Sequence, residues 1–156
     1  MRIEYFQLID RIIDLNLNDL TIRVEANVPT ESTIFEGHFP GRPLMPGVLL
    51  IESMAQASGW LIIARTRFAK MPFLAALKEV KLRTFVTPGT ALTVSAKIMH
   101  EGSGFALTEA EIQVDGPRHL SATLPKPLGT ESFYQDVAVI AFREKQNAPV
   151  RPSRIV

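Results

Sequence analysis

The sequence predicts an α+β domain in which an antiparallel sheet wraps around one long central helix. A helical pattern begins after Pro46, continues to about Lys70 and is apolar nearly all the way round, so this helix must be surrounded by other elements. Alternating apolar and polar residues predict strands before and after it, at 20–28, 80–86, 92–98 and 106–114. Gly- and Pro-containing turns separate the later segments, which favours an antiparallel meander.

The segments before the central helix differ in pattern. Residues 3–14 have apolar positions spaced roughly as in a helix that ends near Asp14. Residues 20–28 alternate strictly, which is typical of a half-buried antiparallel strand. Residues 36–47 contain three prolines and three glycines, so they are predicted to form a shaped loop.

The C-terminal part is predicted to be an extension of the domain. We place the domain at residues 1–128, with a last strand at 120–124, and the extension at residues 129–156. The extension is expected to contain a short helix, capped by Thr130 or Ser132, and a flexible tail from Gln146. The residues on the apolar stripe of that helix are Phe133, Val137, Ile140 and Ala141.

Composition narrows the classes of function. The chain has 156 residues, 46% of them hydrophobic, and a formal net charge of +1, which favours one folded domain over a disordered chain or a general nucleic-acid binder. Without cysteine it has no disulfide and no thiolate metal site. The most apolar window, 48–64, carries Glu52 and Gln56 and predicts a buried helix rather than a membrane span. The N-terminus lacks a signal-peptide core, so we expect a cytoplasmic protein.

Two side chains that suit acid–base chemistry flank the start of the central helix. His38 lies in the proline-rich loop, and Glu52 lies in the second turn of the apolar helix. Burial penalises an ionised carboxylate, so this acid is expected to stay protonated near neutral pH and to act as a general acid beside a neutral imidazole. Gln56 lies four residues from Glu52 and is expected to orient its carboxyl group. The N–H groups of Gly47 and Val48 open the helix and suit a developing oxyanion.

Each of these features also has a purely structural interpretation. A histidine in a Pro/Gly loop is often a hydrogen-bonded structural residue, and a buried glutamate is more often paired with a cation, although no basic residue shares the face of Glu52 within two turns. His100 and His119 show no metal-ligand spacing, and no Gly-x-Ser-x-Gly segment indicates a serine nucleophile. Taken together, the residues favour acid–base catalysis without a metal or cofactor.

The loop and helix start resemble a known family signature. The motif is GHFPGRPLMPGVL at residues 37–49, followed by IESMAQ at residues 51–56. It resembles the signature of the 3-hydroxyacyl-[acyl-carrier-protein] dehydratases of the FabZ type. YFQLIDR at 5–11 and VKLR at 80–83 look like two further segments of that family, so the resemblance spans roughly residues 4–124.

The resemblance implies a hotdog fold and a homodimer, or a higher oligomer of dimers, with active sites at the subunit interface. It implies reversible dehydration of a (3R)-3-hydroxyacyl thioester, with His38 of one subunit and Glu52 of the other as catalytic residues. The expected substrate contacts are Gly47, Val48, Phe39 and Gln56. The partner would be acyl carrier protein, in fatty-acid synthesis or in lipid A acyl-chain synthesis, with no cofactor.

Three other functions stay open at this point. A hotdog thioesterase would need an activated water, and a non-catalytic acyl-carrier-binding module would bind substrate without turnover. A scaffold dimer would bind no acyl thioester at all. The side chains that could offer positive charge to an acidic carrier protein are Arg65, Arg67, Lys70, Lys78, Lys81 and Arg83.

Overall fold

One antiparallel sheet accounts for all the strands in the computed structural model, which describes residues 1–115 and 135–146. A short 3₁₀ helix at Ile3–Tyr5 precedes the other elements. They are β1 (Arg11–Asn16), β2 (Thr21–Asn27), α1 (Thr33–Gly37), α2 (Gly47–Arg65), β3 (Lys70–Lys81), β4 (Ala91–Gly102), β5 (Phe105–Asp115) and β6 (Gln135–Gln146). The order of strands in the sheet is β1-β2-β4-β5-β6-β3, and all neighbours are antiparallel.

The core of the fold lies between α2 and the sheet. Eleven of the 19 residues of α2 are buried, and the helix contacts β2, β3, β4, β5 and β6. Met54 and Leu61 are completely buried, and burial of such a side chain contributes about 1.5–3 kcal/mol. The helix is long and apolar enough to cross a membrane, but 61% of its apolar window is buried inside the protein. It is therefore a core helix, as the sequence predicted.

The strictly alternating segments form strands where they were predicted. In β2, Ile22, Val24 and Ala26 are buried, while Arg23 and Asn27 point to solvent. The predicted strands at 92–98 and 106–114 become β4 and β5, which pair along their whole length. Ser103 and Gly104 connect them with positive φ angles of 52° and 79°, the conformation of a tight type I′ hairpin turn.

The central helix is shorter than predicted. It ends at Arg65 rather than near Lys70. Thr66 is its C-cap residue, and the Thr66 side-chain hydroxyl joins the backbone N–H in donating to the Ile62 carbonyl. Arg67 and Phe68 then adopt left-handed φ angles of 50° and 63°, which cannot continue a right-handed helix.

The next strand is displaced from its predicted position. β3 occupies 70–81, whereas the alternation suggested 80–86, and residues 82–90 form no strand. The sequence of β3 does not alternate between apolar and polar residues, and it contains Pro72, so it gives no clear strand signal. A proline is tolerated there because β3 forms an edge of the sheet among the described strands.

The predicted N-terminal helix over 3–14 is wrong beyond its first turn. The 3₁₀ helix ends at Tyr5, because Phe6 after it has a left-handed φ of 56°. Arg11 already begins β1. Residues 11–16 pair with β2, in register with Arg11 opposite Glu25. The backbone hydrogen bonds of this ladder override the helix-like spacing of the apolar residues.

The predicted C-terminal helix is also wrong over the residues that the structure describes. Residues 135–146 form β6, which pairs with β5 on one side and β3 on the other, and Ile140 and Phe142 are buried in the core. The expected strand at 120–124, the helix cap, Phe133 and the tail beyond 146 lie outside the described residues. The domain boundary at 128 also lies there, and it stays a prediction.

Asp10 ties the N-terminal segment to β2. Its carboxylate accepts hydrogen bonds from the Asn27 backbone N–H at 2.7 Å, from the Asn27 amide at 3.0 Å and from the N-terminal ammonium group. Burial raises the pKa of Asp10, but these donors lower it by more, so its net pKa lies below the ordinary value. The charged form therefore stabilises the fold, and this stabilisation is lost as the pH falls through the folded-state pKa.

We expect Asp10→Asn to lower the free energy of unfolding by about 1–2 kcal/mol at pH 7, because a charged acceptor is replaced by a neutral one. The difference from wild type should shrink as the pH falls through the lowered folded-state pKa of Asp10, because the wild-type carboxylate is then protonated as well. Urea unfolding at pH 7, 5 and 3 measures this. Glu31→Gln is the control, since this exposed carboxylate should change stability by less than about 0.5 kcal/mol. If Asp10→Asn lowers the free energy of unfolding by the same amount at all three pH values, the ionised Asp10 carboxylate is not the source of the stabilisation.

Candidate active site

Backbone hydrogen bonds fix the loop that carries His38. The His38 N–H caps α1 by donating to the Ile34 carbonyl at 2.9 Å, and the His38 carbonyl accepts from Leu44 N–H at 2.8 Å. Phe39 and Arg42 exchange two backbone hydrogen bonds, of 3.1 and 2.9 Å, across the tip of the loop. The imidazole is half-buried and stacks on the Phe39 ring, with 4.0 Å between the ring centroids. The loop's own hydrogen bonds thus hold the backbone of the histidine in place.

The start of α2 presents free backbone donors. The Pro46 carbonyl accepts from Leu49 and Leu50 at 2.9 and 3.3 Å, whereas the N–H groups of Gly47 and Val48 have no acceptor within residues 1–115 and 135–146. Such groups carry the positive end of the helix dipole and suit an anionic oxygen. Leu82 lies against Gly47 so closely that a Cβ at position 47 would overlap its Cδ1 atom.

The Glu52 carboxyl group is oriented by Gln56, as the sequence predicted. Gln56 Nε2 donates to Glu52 Oε1 at 3.0 Å and to the Phe6 carbonyl at 2.7 Å, while Gln56 Oε1 accepts from Leu8 N–H at 3.0 Å. The two backbone partners fix which end of the amide is the donor, so Gln56 can only donate to Glu52. Glu52 Oε1 is therefore an acceptor, and a proton on this carboxyl group belongs on Oε2.

An apolar cavity of about 370 Å³ begins beside Glu52 and Gln56. One wall is a stripe of α2 formed by Glu52, Ala55, Gln56, Gly59, Trp60 and Ile63. The opposite wall is formed by Met71, Pro72, Leu74 and Phe142 of β3 and β6. Apart from the indole N–H of Trp60, the polar side-chain groups that line the cavity belong to Glu52 and Gln56, so the site combines one carboxyl group with a largely hydrocarbon-lined space.

Relatives of this chain are recognisable from its sequence. A family model described as a FabA-like domain matches residues 2–123. The chain belongs to the FabA-like family. The 3-hydroxyacyl-[acyl-carrier-protein] dehydratase FabZ of Lactococcus lactis subsp. cremoris is 39% identical over 125 residues, which cover 80% of this chain and 85% of that protein. The protein of the same name from Streptococcus thermophilus is 35% identical over 124 residues, which cover 79% and 86%.

Solved structures similar to this member of the FabA-like family share its fold. A hypothetical thioesterase from Streptococcus pneumoniae, solved with coenzyme A, aligns with a TM-score of 0.60 and 12% identity, covering 87% of this chain and 85% of that one. A thioesterase from Staphylococcus aureus aligns with a TM-score of 0.62 and 15% identity, covering 92% and 97%. The fold is the α+β hotdog fold that the sequence predicted.

The structure brings some of the predicted site residues together and not others. Glu52 and Gln56 share a hydrogen bond and one cavity, but His38 does not line that cavity, and neither do Gly47 and Val48. The Glu52 side chain is half-buried, which is more open than its apolar helix suggested, and no ion pair involves it among the described residues. Phe39 is 51% exposed and Val48 is 70% exposed, so both remain accessible.

Sequence reasoning missed three parts of this arrangement. The clamp of Gln56 by the backbone of Phe6 and Leu8 has no sequence signal, since it joins positions about 50 residues apart. The contact of the Leu82 side chain with Gly47 also joins residues distant in sequence, so it has no sequence signal either. The cavity wall did have a signal, because Trp60 and Ile63 follow Glu52 at helical spacing, eight and eleven residues on.

We expect Gln56→Leu to destabilise the protein by about 2–3 kcal/mol, because Leu8 N–H and the Phe6 carbonyl both lose their partner. Hydrogen exchange of the Leu8 amide should become faster, and urea unfolding measures the stability. Gln7→Leu is the matched control, since its side chain is exposed on the same segment and should change neither quantity much. Unchanged protection of the Leu8 amide in Gln56→Leu would contradict the clamp.

Proposed function

We propose that this protein dehydrates (3R)-3-hydroxyacyl thioesters on acyl carrier protein to trans-2-enoyl thioesters. One observation carries the proposal, the position of Glu52 in a FabA-like domain. Its carboxyl group accepts a hydrogen bond from Gln56 and lies beside an apolar cavity. A hydrocarbon-lined space with a single carboxyl group suits a fatty acyl chain with one polar reacting centre. The two relatives described above carry the name of this activity.

The reaction needs one base and one acid. His38 takes the proton from C2 of the substrate, and the electrons of that C–H bond form the C2=C3 double bond. The C3–O bond breaks, and the hydroxyl group leaves as water with a proton from Glu52 Oε2. His38 ends protonated and Glu52 ionised, so proton exchange with water restores both. A loop held by backbone hydrogen bonds and a carboxyl group held by Gln56 suit these roles, since neither needs to reorganise.

The start of α2 supplies the electrostatic part of the mechanism. As the C2 proton is removed, negative charge develops transiently on the thioester carbonyl oxygen, before the C3–O bond breaks and the electrons form the C2=C3 double bond. The free N–H groups of Gly47 and Val48 can donate to that oxygen, and the helix dipole favours the charge. Phe39, exposed beside the histidine, would contact the acyl-pantetheine portion of the substrate.

The complete site is proposed to form between two copies of the chain. His38 is absent from the cavity that Glu52 lines, so one chain alone does not present the base and the acid to the same space. β3 has a free edge among the described strands, and its Leu74 and Leu77 are 46% and 39% exposed. Pairing of two such edges in a symmetric homodimer would cover these side chains and bring a second His38 to the site.

The proposed setting is the cytoplasm, in synthesis of fatty acids or of the acyl chains of lipid A. The carrier protein would approach through positive charge, for which Arg67, Lys78 and Lys81 are exposed. Arg65 contributes less to such a surface, because it is paired with Glu101 at 2.8 Å.

We expect His38→Ala to lower turnover of a 3-hydroxyacyl carrier-protein substrate by at least ~10²-fold, the effect of removing a positioned base. The measurement follows the absorbance of the conjugated enoyl thioester, in either direction of the reaction. His100→Ala is the control, since this exposed histidine lies on β4 outside the site and should leave the rate close to wild type. Release of free thiol instead of enoyl product would show a thioesterase, and near-normal turnover by His38→Ala would remove this residue from the mechanism.

A mixing experiment tests whether the two catalytic residues come from opposite subunits. His38→Ala and Glu52→Gln are expected to be inactive alone. After unfolding and refolding together in equal amounts, half of the dimers are mixed, and each mixed dimer has one intact site. Activity should then recover to about one quarter of the wild-type value.

Sites built within one chain would give no recovery at all, because each copy would lack one of its own residues. Native mass spectrometry of the same samples confirms that the mixed dimers have formed, because their mass lies between the masses of the two parent dimers.

A further inference from the structure

The cavity wall of α2 has one position without a side chain, and it lies where the helix approaches β3. Gly59 lines the cavity, and a Cβ placed on it would meet Pro72 Cγ at 3.6 Å. We infer that the acyl chain of the substrate lies along this stripe of α2 and that the open position at Gly59, beside Pro72, sets how long a chain the enzyme accepts. This inference rests on the proposed dehydratase function and adds the residue that determines its chain-length specificity.

The cavity runs along the helix rather than across it. The positions of α2 that line it follow Glu52 at intervals of three, four, seven, eight and eleven residues, which is a straight stripe on one helix face. At 1.5 Å per residue, the stripe from Glu52 to Ile63 is about 16 Å long. A linear chain that starts at the carboxyl group therefore extends towards the C-terminal end of α2.

The cavity walls next to Gly59 are held in place by the fold. Pro72 and Leu74 belong to β3, and Phe142 of β6 stands opposite Leu74 in the ladder. Phe142 is only 3% exposed, and Ile63 beyond Gly59 is 6% exposed, so both are fixed by the core. The missing side chain of Gly59 thus leaves open the passage along α2 beside Pro72, because a Cβ there would have only Pro72 Cγ within 4 Å.

Geometry gives the length at which this passage matters. Gly59 lies seven residues after Glu52, which is about 10 Å along the helix axis. With carbon–carbon bonds of about 1.5 Å, an extended chain advances roughly 1.3 Å per carbon and passes Gly59 about eight carbons after the reacting C3 atom. Chains of four to eight carbons end before Gly59, whereas chains of 14 carbons extend beyond it, with the change expected at ~11 carbons.

The test compares Gly59→Val with wild type on substrates of four, eight and 14 carbons attached to acyl carrier protein. The expected result is a fall of at least ~10-fold in the ratio of kcat/KM for 14 carbons to kcat/KM for four carbons, because the added methyl groups fill the passage. Gly59→Ala should give a smaller fall in the same direction. Alanine is a better helix former than glycine, and its Cβ makes only an ordinary contact with Pro72, so this second variant is expected to fold.

The matched control is Ala64→Val, which adds the same kind of side chain to the same helix but away from the cavity. For this variant, the ratio of kcat/KM for 14 carbons to kcat/KM for four carbons should stay within about twofold of wild type. Selectivity between substrates changes only when a residue that contacts them changes. Wild-type protein that turns over none of the substrates would refute the proposed function. The chain-length inference fails if wild type turns over the four-carbon substrate but rejects the 14-carbon substrate. It also fails if both Gly59 variants have the same ratio of kcat/KM for 14 carbons to kcat/KM for four carbons as wild type.

Discussion

The apolar helix α2 is the constraint on which the fold and the site both depend. A helix with buried residues on nearly every side is stable in water only if other elements enclose it, and the strands from β2 to β6 do so. Glu52 is the acidic residue that this helix carries. Enclosing the helix therefore places one carboxyl group against hydrocarbon and creates an apolar cavity beside it.

The position of that carboxyl group depends on a part of the chain remote in sequence. Gln56 contacts the Phe6 carbonyl and Leu8 N–H, and this segment is itself held by Asp10 on Asn27 and by a 2.7 Å hydrogen bond from Ser32 to Glu4. Hydrogen bonds thus connect the N-terminal segment, through the Gln56 amide, to the Glu52 carboxyl group. A disturbance of the segment would reach Glu52 through hydrogen bonds rather than through packing.

Local patterns predicted the parts of the structure that local forces determine. The strict alternation predicted β2 correctly, and a Gly-containing turn was correctly predicted between the later strands, where Ser103 and Gly104 form it. The i, i+4 spacing predicted the hydrogen bond between Gln56 and Glu52. The sequence failed where pairing with distant strands decides the outcome. In β6, Ile140 and Ala141 fit a helical stripe, yet the apolar run from Val137 to Phe142 serves equally well as a strand between two neighbours. The cavity also needed the structure, because β3 and β6 contribute its opposite wall.

The place of β6 inside the sheet bears on how the protein can be engineered. Shortening the chain to the family-like core at residues 1–128 would remove a central strand rather than an appendage, and β3 would lose the ladder that joins it to the sheet. Such a fragment would expose two complementary strand edges in every molecule, a geometry that favours intermolecular aggregation. Fusion partners and affinity tags therefore belong beyond residue 146, with the full length of β6 retained.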